Sequence, residues 1–239
     1  MYKFFSLLLI SLSACFANAQ DILKYEADIK DFTELKVASG INVNNVCNPD
    51  SVGKAVFYST EQMASEISFV NKKNKLTIEY TTKTNNRKLT GVPTVTVYSR
   101  FLNLVENNSD STIRLVKVAP GPKLKLRLTG GGCIAAPEVE SNEVSATITI
   151  GKGVIAVGGK CSVANLTSVS SGTIQADRLK ADVVKCKLTG SGEIGCWPID
   201  ELYISMSVGM GSGTILYRGE PKAIKNYSAG IKVEKLETE

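Results

Sequence analysis

The sequence predicts an all-β protein that folds as a parallel β-solenoid, or β-helix, with coils of about 20 residues. Three observations lead to this fold class: a glycine–isoleucine repeat in the C-terminal half, a surrounding composition of small and β-branched residues, and alternating strand patterns in the N-terminal half. The repeat is the most specific of the three. The tripeptide Gly-x-Ile occurs at Gly132, Gly153, Gly172, Gly192 and Gly213, and its isoleucines lie 21, 19, 20 and 21 residues apart.

A period near 20 residues has a direct physical interpretation. Two or three short strands with their turns cannot bury their own apolar face, but they can do so when they stack on similar neighbours. Equivalent residues then lie about 4.8 Å apart, at the spacing of paired strands, so we expect the isoleucines to form one internal column. Ile113 extends the series one coil earlier, with Ser111 in the glycine position. Strand alternation predicts the same inward face for the residues two places after each isoleucine, which are Ala136, Val157, Ala176, Cys196 and Tyr217.

The stretch LTGSGEIGC, Leu188–Cys196, looks at first like a phosphate-binding glycine loop. A phosphate loop occurs once and precedes a helix, whereas this motif recurs in each coil and precedes strands. We therefore interpret Gly190, Gly192, Gly211 and Gly213 as corner residues, where glycine permits a positive φ.

The strand register ahead of the glycines is not settled by the repeat. Leu128 and Leu188 lie four residues before their glycine, whereas Ile150 and Val169 lie three residues before theirs. A bulge or a corner of variable length is needed, and the pattern does not locate it.

The chain from Phe32 to about Ser99 reads as short strands separated by polar turns. FTELKV, KLTIEY and PTVTVYS alternate apolar and polar residues. Only the segment Ser59–Val70 has a helical pattern, and it predicts one short helix. We divide the mature chain into an N-terminal β part, 20–110, and the repeat solenoid, 111–239, and leave open whether the two are continuous.

Residues 1–19 predict a signal peptide. Lys3 supplies a positive charge, Phe4–Leu12 is an apolar run too short to span a bilayer as a helix, and Ala17-Asn18-Ala19 fits a signal-peptidase site. We expect an exported protein of the periplasm, outer membrane or cell surface. The alternative is a lipoprotein, because Leu12–Cys15 resembles a bacterial lipobox with Cys15 as the lipidated residue.

The composition excludes several kinds of chemistry. The chain has no histidine, which removes serine–histidine and cysteine–histidine mechanisms and the commonest metal ligand. The net charge of +5 is mild and no Lys/Arg cluster is present, so we expect no nucleic-acid partner, and we expect no cofactor and no metal. The sequence leaves self-association open. Cleavage after Ala19 leaves an odd number of cysteines, so disulfide pairing also stays open. These cysteines are Cys47, Cys133, Cys161, Cys186 and Cys196. Cys186 and Cys196 are interpreted as small buried hydrophobic residues.

One segment, ADRLKADVVKCK, concentrates charge. Parallel β-helix polysaccharide lyases use acidic and basic side chains on one outer sheet, but we favour a solvated turn and the outward face of a strand for Asp177, Arg178, Lys180, Asp182, Lys185 and Lys187. We assign no catalytic residue. Four aromatic residues near the C-terminus either cap the last coil or form a platform for sugar rings, and they are Trp197, Tyr203, Tyr217 and Tyr227.

The coils SGTIQADRL, LTGSGEIG and GMGSGTILYRGEP resemble the serial Gly-Ser motifs of the DUF2807 family, the auto-transporter adhesin or head GIN domain proteins common in Bacteroidetes. FTELKVASGINVNN resembles the opening strand of that family, with Gly40-Ile41-Asn42 as its name-giving tripeptide, and Ile215–Pro221 resembles its closing signature. The resemblance covers roughly residues 32–233. It implies an exported, solenoid-like, all-β fold and no established activity. Cysteines in and near the coils depart from the family pattern.

Together these observations predict a non-enzymatic cell-envelope β-solenoid, which acts as an adhesin or as a scaffold for surface assembly. The alternative is a glycan-binding module or a carbohydrate-active enzyme on the same fold. That alternative predicts acidic and basic side chains in one groove lined by aromatic residues. The partner is expected to be an envelope component or a glycan.

Overall fold

The computed structural model describes residues 21–81, 92–206 and 212–237. The protein is nearly all β and contains about six solenoid turns of roughly 20-residue coils, so the predicted fold class is confirmed. The predicted signal peptide, the alternative lipidation site Cys15, and Gly211 lie outside the described residues. Within those ranges, no helix is long and apolar enough to cross a membrane.

Seventeen strands, one short α-helix and one 3₁₀ turn make up the described chain. The N-terminal elements are β1 (Leu23–Asp28), β2 (Glu34–Val37), β3 (Val43–Cys47), a 3₁₀ turn (Pro49–Ser51), β4 (Lys54–Ser59), α1 (Glu61–Ala64), β5 (Ile67–Lys72), β6 (Lys75–Tyr80), β7 (Val95–Ser99), β8 (Leu104–Asn107) and β9 (Thr112–Lys117). The solenoid continues with β10 (Gly121–Thr129), β11 (Cys133–Ile150), β12 (Val154–Ser168), β13 (Thr173–Leu188), β14 (Glu193–Met206), β15 (Thr214–Tyr217), β16 (Ala223–Asn226) and β17 (Lys232–Lys235).

The four longest strands, β11 to β14, each contribute to two faces of the solenoid. Their first halves continue the ladder that runs through β3 and β9 and ends in β15 and β17. Their second halves continue the ladder that runs through β2, β8 and β10 and ends in β16. All of these pairings are parallel, and the register shifts where each long strand passes from the first face to the second.

The isoleucines form the predicted internal column on the first face. Ile155 pairs with Ile134 on one side and with Ile174 on the other, and Ile194 continues the column to Ile215. Each of these five side chains is fully buried. The residues two places further on are also buried, except Tyr217, which lies partly exposed against the core.

The repeated glycines stack directly on one another, for a reason that differs from the predicted one. Gly192 and Gly213 do not have a positive φ, whereas Gly190 does, at +113°. A Cβ atom on Gly192 would lie only 2.5 Å from the carbonyl oxygen of Gly172 in the preceding coil. That carbonyl accepts a hydrogen bond from the backbone N–H of Glu193 at 3.2 Å. Glycine is needed at this position because two coils approach too closely for any side chain.

The structure locates the irregularity ahead of the glycines as a bulge between β10 and β11. Leu128 pairs with Ile148, but the next residue, Thr129, pairs with Ile150, so β11 contains one extra residue. Ile150 and Val169, the apolar residues nearest the glycines in their coils, are exposed at 68% and 49%. The inward column instead contains Leu128, Ile148, Ser168 and Leu188.

The N-terminal end of the solenoid is closed by antiparallel strands. Strands β1 and β7 both pair with β4, and β5 pairs with β6. The predicted helix over Ser59–Val70 is only one turn long, α1, because the chain from Ile67 onward pairs with β6 instead. Phe57 stacks on Tyr25 with ring centroids 5.4 Å apart and so covers the first coil. Covering strands of this kind protect the open edge of a solenoid.

The Gly40-Ile41-Asn42 tripeptide joins this N-terminal end to the repeat. Ile41 is fully buried in the core. The Asn42 side-chain oxygen accepts a hydrogen bond of 2.9 Å from the backbone N–H of Thr112, which begins β9.

Candidate binding face

The charged residues of the ADRLKADVVKCK segment do not form one cluster, because β13 carries them onto different parts of the surface. Asp177 and Arg178 line a groove beside the first face. Lys180 and Asp182 lie at the bend between the two faces. Lys185 and Lys187 face outward on the second face. These three locations agree with the favoured interpretation of solvated strand and turn positions.

The groove beside the first face contains one internal ion pair. The Arg218 Nε atom lies 3.3 Å from a carboxylate oxygen of Asp177. Small residues such as Ala135 and Ala156 line the same groove. Asp177 is therefore paired with Arg218, while Glu193, Arg114 and Arg178 also line this groove.

The bend between the faces is also internally balanced. Lys160 lies 3.0 Å from a carboxylate oxygen of Glu140. The ammonium group of Lys180 lies 4.6 Å from the ring centroid of Trp197 and makes a cation–π contact. Trp197 is thus covered by Lys180, and it also packs against Gly219.

The second face presents the most regular polar pattern of the described surface. We call its outward positions on β10 to β13 the lysine face, which consists of Lys125, Arg127, Ser145, Thr147, Asn165, Thr167, Lys185 and Lys187. The register places these residues in two adjacent rows, Lys125–Ser145–Asn165–Lys185 and Arg127–Thr147–Thr167–Lys187. Two basic pairs therefore flank a patch of four hydroxyl and amide side chains. The basic pairs are Lys125 with Arg127 and Lys185 with Lys187. The two pairs lie three coil spacings apart, which is about 14 Å at about 4.8 Å per coil.

Carboxylates next to the lysine face are all engaged in ion pairs. Glu106 interacts with Lys75 and Arg127, and Glu143 lies 2.6 Å from the ammonium group of Lys123. Within the described residues, Lys125, Lys185 and Lys187 have no salt-bridge partner. The charge that remains uncompensated on this face is therefore positive.

The polar patch between the basic pairs is partly preorganised. Both Ser145 and Asn165 donate hydrogen bonds to the same carboxylate oxygen of Glu143, at 3.1 and 3.0 Å. The ammonium group of Lys123, together with these donors, lowers the pKa of the Glu143 carboxyl below its usual value, although slight burial opposes the shift. Glu143 stays ionised near neutral pH and orients the two side chains. Thr147 and Thr167 lie on the same face and are half-buried.

Aromatic residues lie at the C-terminal end of the lysine face. Tyr203 follows Lys185 in the same row and carries the Lys225 ammonium group 4.7 Å from its ring centroid. Tyr227 is 72% exposed. Together with Lys185 and Lys187 they line an open groove of about 710 Å³.

The four C-terminal aromatic residues are thus divided among three locations. Tyr217 packs against the end of the core, as a capping residue does, and Trp197 lies at the bend. Tyr203 and Tyr227 line the groove at the end of the lysine face.

All five cysteines in the described chain are free thiols. Cys186 and Cys196 are buried in the core, as interpreted from the sequence. Burial raises the pKa of the Cys161 thiol to about 11. No group of three or more metal-ligating side chains occurs among the residues that the structure describes.

Sequence reasoning missed the lysine face, although a signal was available. Each row repeats at intervals of 20 residues, the same period as the glycine motif. Aligning the outward residues of successive coils would have brought Lys125 and Lys185 into one row.

Comparison with protein families finds a match over residues 31–221 to the DUF2807 model, described as "putative auto-transporter adhesin, head GIN domain". A comparison with curated proteins finds no match.

Solved structures share the fold. A "putative adhesin" from Bacteroides fragilis superposes with a TM-score of 0.81 at 19% identity, over 91% of this chain and 98% of the other. A "putative adhesin" from Parabacteroides merdae has a TM-score of 0.67 at 19% identity, over 92% and 98% of the two chains. A "putative lipid binding protein" from Parabacteroides distasonis has a TM-score of 0.59 at 18% identity, over 92% and 98%.

Proposed function

Since the chain belongs to the DUF2807 family of head GIN domain, auto-transporter adhesin-type proteins, we propose that it is a non-enzymatic cell-envelope protein that binds other surface components as an adhesin. Its partner is an envelope component or a glycan, which lies against an outer face of the solenoid.

The observation that carries this proposal is the distribution of charge along β13. The six charged side chains of this segment lie at three separate places, and in the groove beside the first face the carboxylate of Asp177 is engaged by Arg218. General acid–base catalysis requires a free acidic or basic group within hydrogen-bonding reach of the proton that it transfers. A rigid face with repeated polar rows is better suited to holding an extended partner.

Export supports the same role. We propose that cleavage after Ala19 releases a mature protein that begins at Gln20 and reaches the periplasm, the outer membrane or the cell surface. Mass spectrometry of the mature N-terminus tests this assignment. A lipidated Cys15 would replace the cleaved form with a membrane-anchored one.

The adhesin proposal is tested with purified mature protein immobilised on beads. We expect the immobilised protein to retain envelope fragments saturably, or the protein to bind glycans on an array. We expect no turnover of any polysaccharide in a panel. Reproducible cleavage that is lost in Asp182→Asn or Lys185→Gln would contradict the non-enzymatic assignment. Absence of retention on every surface would contradict adhesion and leave scaffolding of a surface assembly as the competing role.

A glycan-binding module is the second candidate. It is supported by the groove in which Lys185, Lys187, Tyr203 and Tyr227 lie together, since aromatic and basic side chains in one open groove suit sugar rings with acidic substituents. Retention of glycans alone, without protein or lipid components, would favour this narrower form of the proposal.

A further inference from the structure

We infer that the lysine face binds a linear anionic polysaccharide, which lies along the solenoid axis across β10 to β13. The inference rests on the proposed binding role and specifies its ligand class. It follows from the juxtaposition of two basic pairs with a hydroxyl and amide patch between them.

The positive charge on this face is available to a ligand. Lys185 and Lys187 are exposed, and neither has a salt-bridge partner within the described chain. At the opposite end of the rows, Arg127 is 55% exposed at its side chain even though it contacts Glu106. Because the neighbouring carboxylates are already paired, an approaching anion meets no uncompensated negative charge between β10 and β13.

The spacing of the charges favours a chain over a small anion. The two basic pairs are separated by about 14 Å along the axis, which is too far for one carboxylate or phosphate to reach both. A linear polyanion can contact both pairs at once, and linking two weak contacts in one chain strengthens binding beyond either contact alone.

The patch between the charges favours a hydroxylated chain. Thr147 and Thr167 form no side-chain hydrogen bond within the described residues, and each can donate and accept one. Ser145 and Asn165 are held by Glu143, which fixes the direction of the remaining amide and hydroxyl groups. Sugar hydroxyls can both donate to and accept from these groups, whereas the anionic groups of a polyanion without hydroxyls can only accept.

The same composition argues against an anionic membrane as the partner. Peripheral membrane binding combines basic residues with large apolar side chains that enter the lipid. Beside the two rows, the apolar outward residues on β12 and β13 are Val163 and Val183, and both are half-buried. The exposed Ile150 and Val169 lie where the strands end, at the edge of the face.

The test measures binding of the mature protein to polygalacturonate in calcium-free buffer. The comparison ligands are dextran as a neutral polysaccharide, polyglutamate as a polyanion without hydroxyls, and phosphatidylglycerol vesicles. We expect binding to polygalacturonate that weakens as salt screens the charges, no binding to dextran, and weaker binding to polyglutamate and vesicles. Equal or tighter binding to polyglutamate or to vesicles would overturn the inference, and so would an absence of binding to polygalacturonate.

Two variants locate the site. The double variant Lys185→Gln/Lys187→Gln is expected to weaken polygalacturonate binding about tenfold. A matched control, Lys117→Gln/Lys152→Gln, removes the same charge from exposed lysines elsewhere and is expected to leave affinity nearly unchanged. An equal loss in both would show non-specific attraction and would overturn the assignment to this face.

A third variant separates hydroxyl recognition from charge. Thr147→Val/Thr167→Val keeps the shape of both side chains and removes their hydroxyls. We expect about fivefold to tenfold weaker binding to polygalacturonate and unchanged binding to polyglutamate. Unchanged binding to both would contradict hydroxyl recognition. If the protein retains envelope fragments but does not bind polygalacturonate, only the ligand class fails; loss of both kinds of binding removes the adhesin proposal as well.

Discussion

Replacing Ile174 by alanine tests the internal column most sharply. Ile174 is fully buried between Ile155 and Ile194. The change removes three carbon groups, which at about 0.8 kcal/mol each costs about 2.4 kcal/mol in transfer free energy. Parallel ladders hold the backbone on both sides, so the cavity cannot collapse fully, and its cost raises the expected loss of unfolding free energy to about 3–4 kcal/mol.

The assay is equilibrium unfolding in urea, followed by far-ultraviolet circular dichroism. The control is Glu193→Ala, which changes an exposed neighbour of the column and is expected to stay within about 0.5 kcal/mol. Because Ile155 and Ile174 are neighbours in the column, the cavities left by their two alanine substitutions would merge. The loss of unfolding free energy in the double variant is therefore expected to differ from the sum of the single losses by at least about 0.5 kcal/mol. A loss below about 1 kcal/mol for Ile174→Ala, or strict additivity of the pair, would refute column packing.

Three further perturbations test other contacts. Ser168→Ala removes a buried hydroxyl that has no hydrogen-bond partner, and we expect it to raise the unfolding free energy by about 1 kcal/mol. The exposed control Ser162→Ala is expected to be neutral. A loss of stability of Ser168→Ala in urea unfolding would show that the hydroxyl has a hydrogen-bond partner. Gly192→Ala is expected to lower the unfolding free energy by about 2–3 kcal/mol, because the new Cβ would lie 2.5 Å from a carbonyl oxygen. The control Gly195→Ala is expected to be tolerated, because its Cβ would have its nearest neighbour at 3.4 Å. Equal unfolding midpoints of the two variants would contradict close stacking at Gly192. Burial raises the pKa of the Cys161 thiol to about 11. We therefore expect this thiol to react with iodoacetamide at pH 8 about a hundredfold more slowly in the folded protein than in urea. Equal alkylation rates, measured by peptide mass spectrometry, would contradict its burial.

The isoleucine column could be predicted from the sequence because its signal is both local and periodic. Each Gly-x-Ile motif specifies a close approach and an inward side chain within three residues, and stacking repeats that specification in every coil. Ile155 and Ile174 were therefore identified without knowledge of the rest of the coil.

The register ahead of the glycines could not be predicted, because coil length varies between 19 and 21 residues. The extra residue, Thr149, forms a bulge opposite the step from Leu128 to Thr129, so that Thr129 pairs with the exposed Ile150. Ser168 lies in the core because it keeps the register of Ile148 and Leu188. Apolarity alone does not distinguish Ile148 from Ile150 as the inward residue, and it favours Val169 over Ser168. A buried serine in an apolar column gives no pattern that hydropathy can detect.

The helix predicted over Ser59–Val70 is limited to one turn because its helix propensity competes with a long-range strand pairing. Thr60 caps one turn by accepting a hydrogen bond from the backbone N–H of Met63. After that turn, Ile67 and the following residues gain a full antiparallel ladder with β6. Tertiary pairing of this kind overrides weak helix propensity.

The lysine face could not be found from residues close together in sequence, because its rows join residues of four different coils. In the sequence, Lys185 and Lys187 are distinguished only as members of a charged segment, and most of that segment lies elsewhere on the surface. Outward residues have no core to restrict them, so their arrangement becomes meaningful only once the register is known.

Lysine footprinting tests the central claim most directly. The mature protein is acetylated briefly with and without polygalacturonate, and the modification of each lysine is measured by peptide mass spectrometry. Binding along the lysine face predicts strong protection of Lys125, Lys185 and Lys187, with Lys117 and Lys152 modified equally in both samples. Uniform protection of all five lysines, or protection confined to Lys117 and Lys152, would contradict the account.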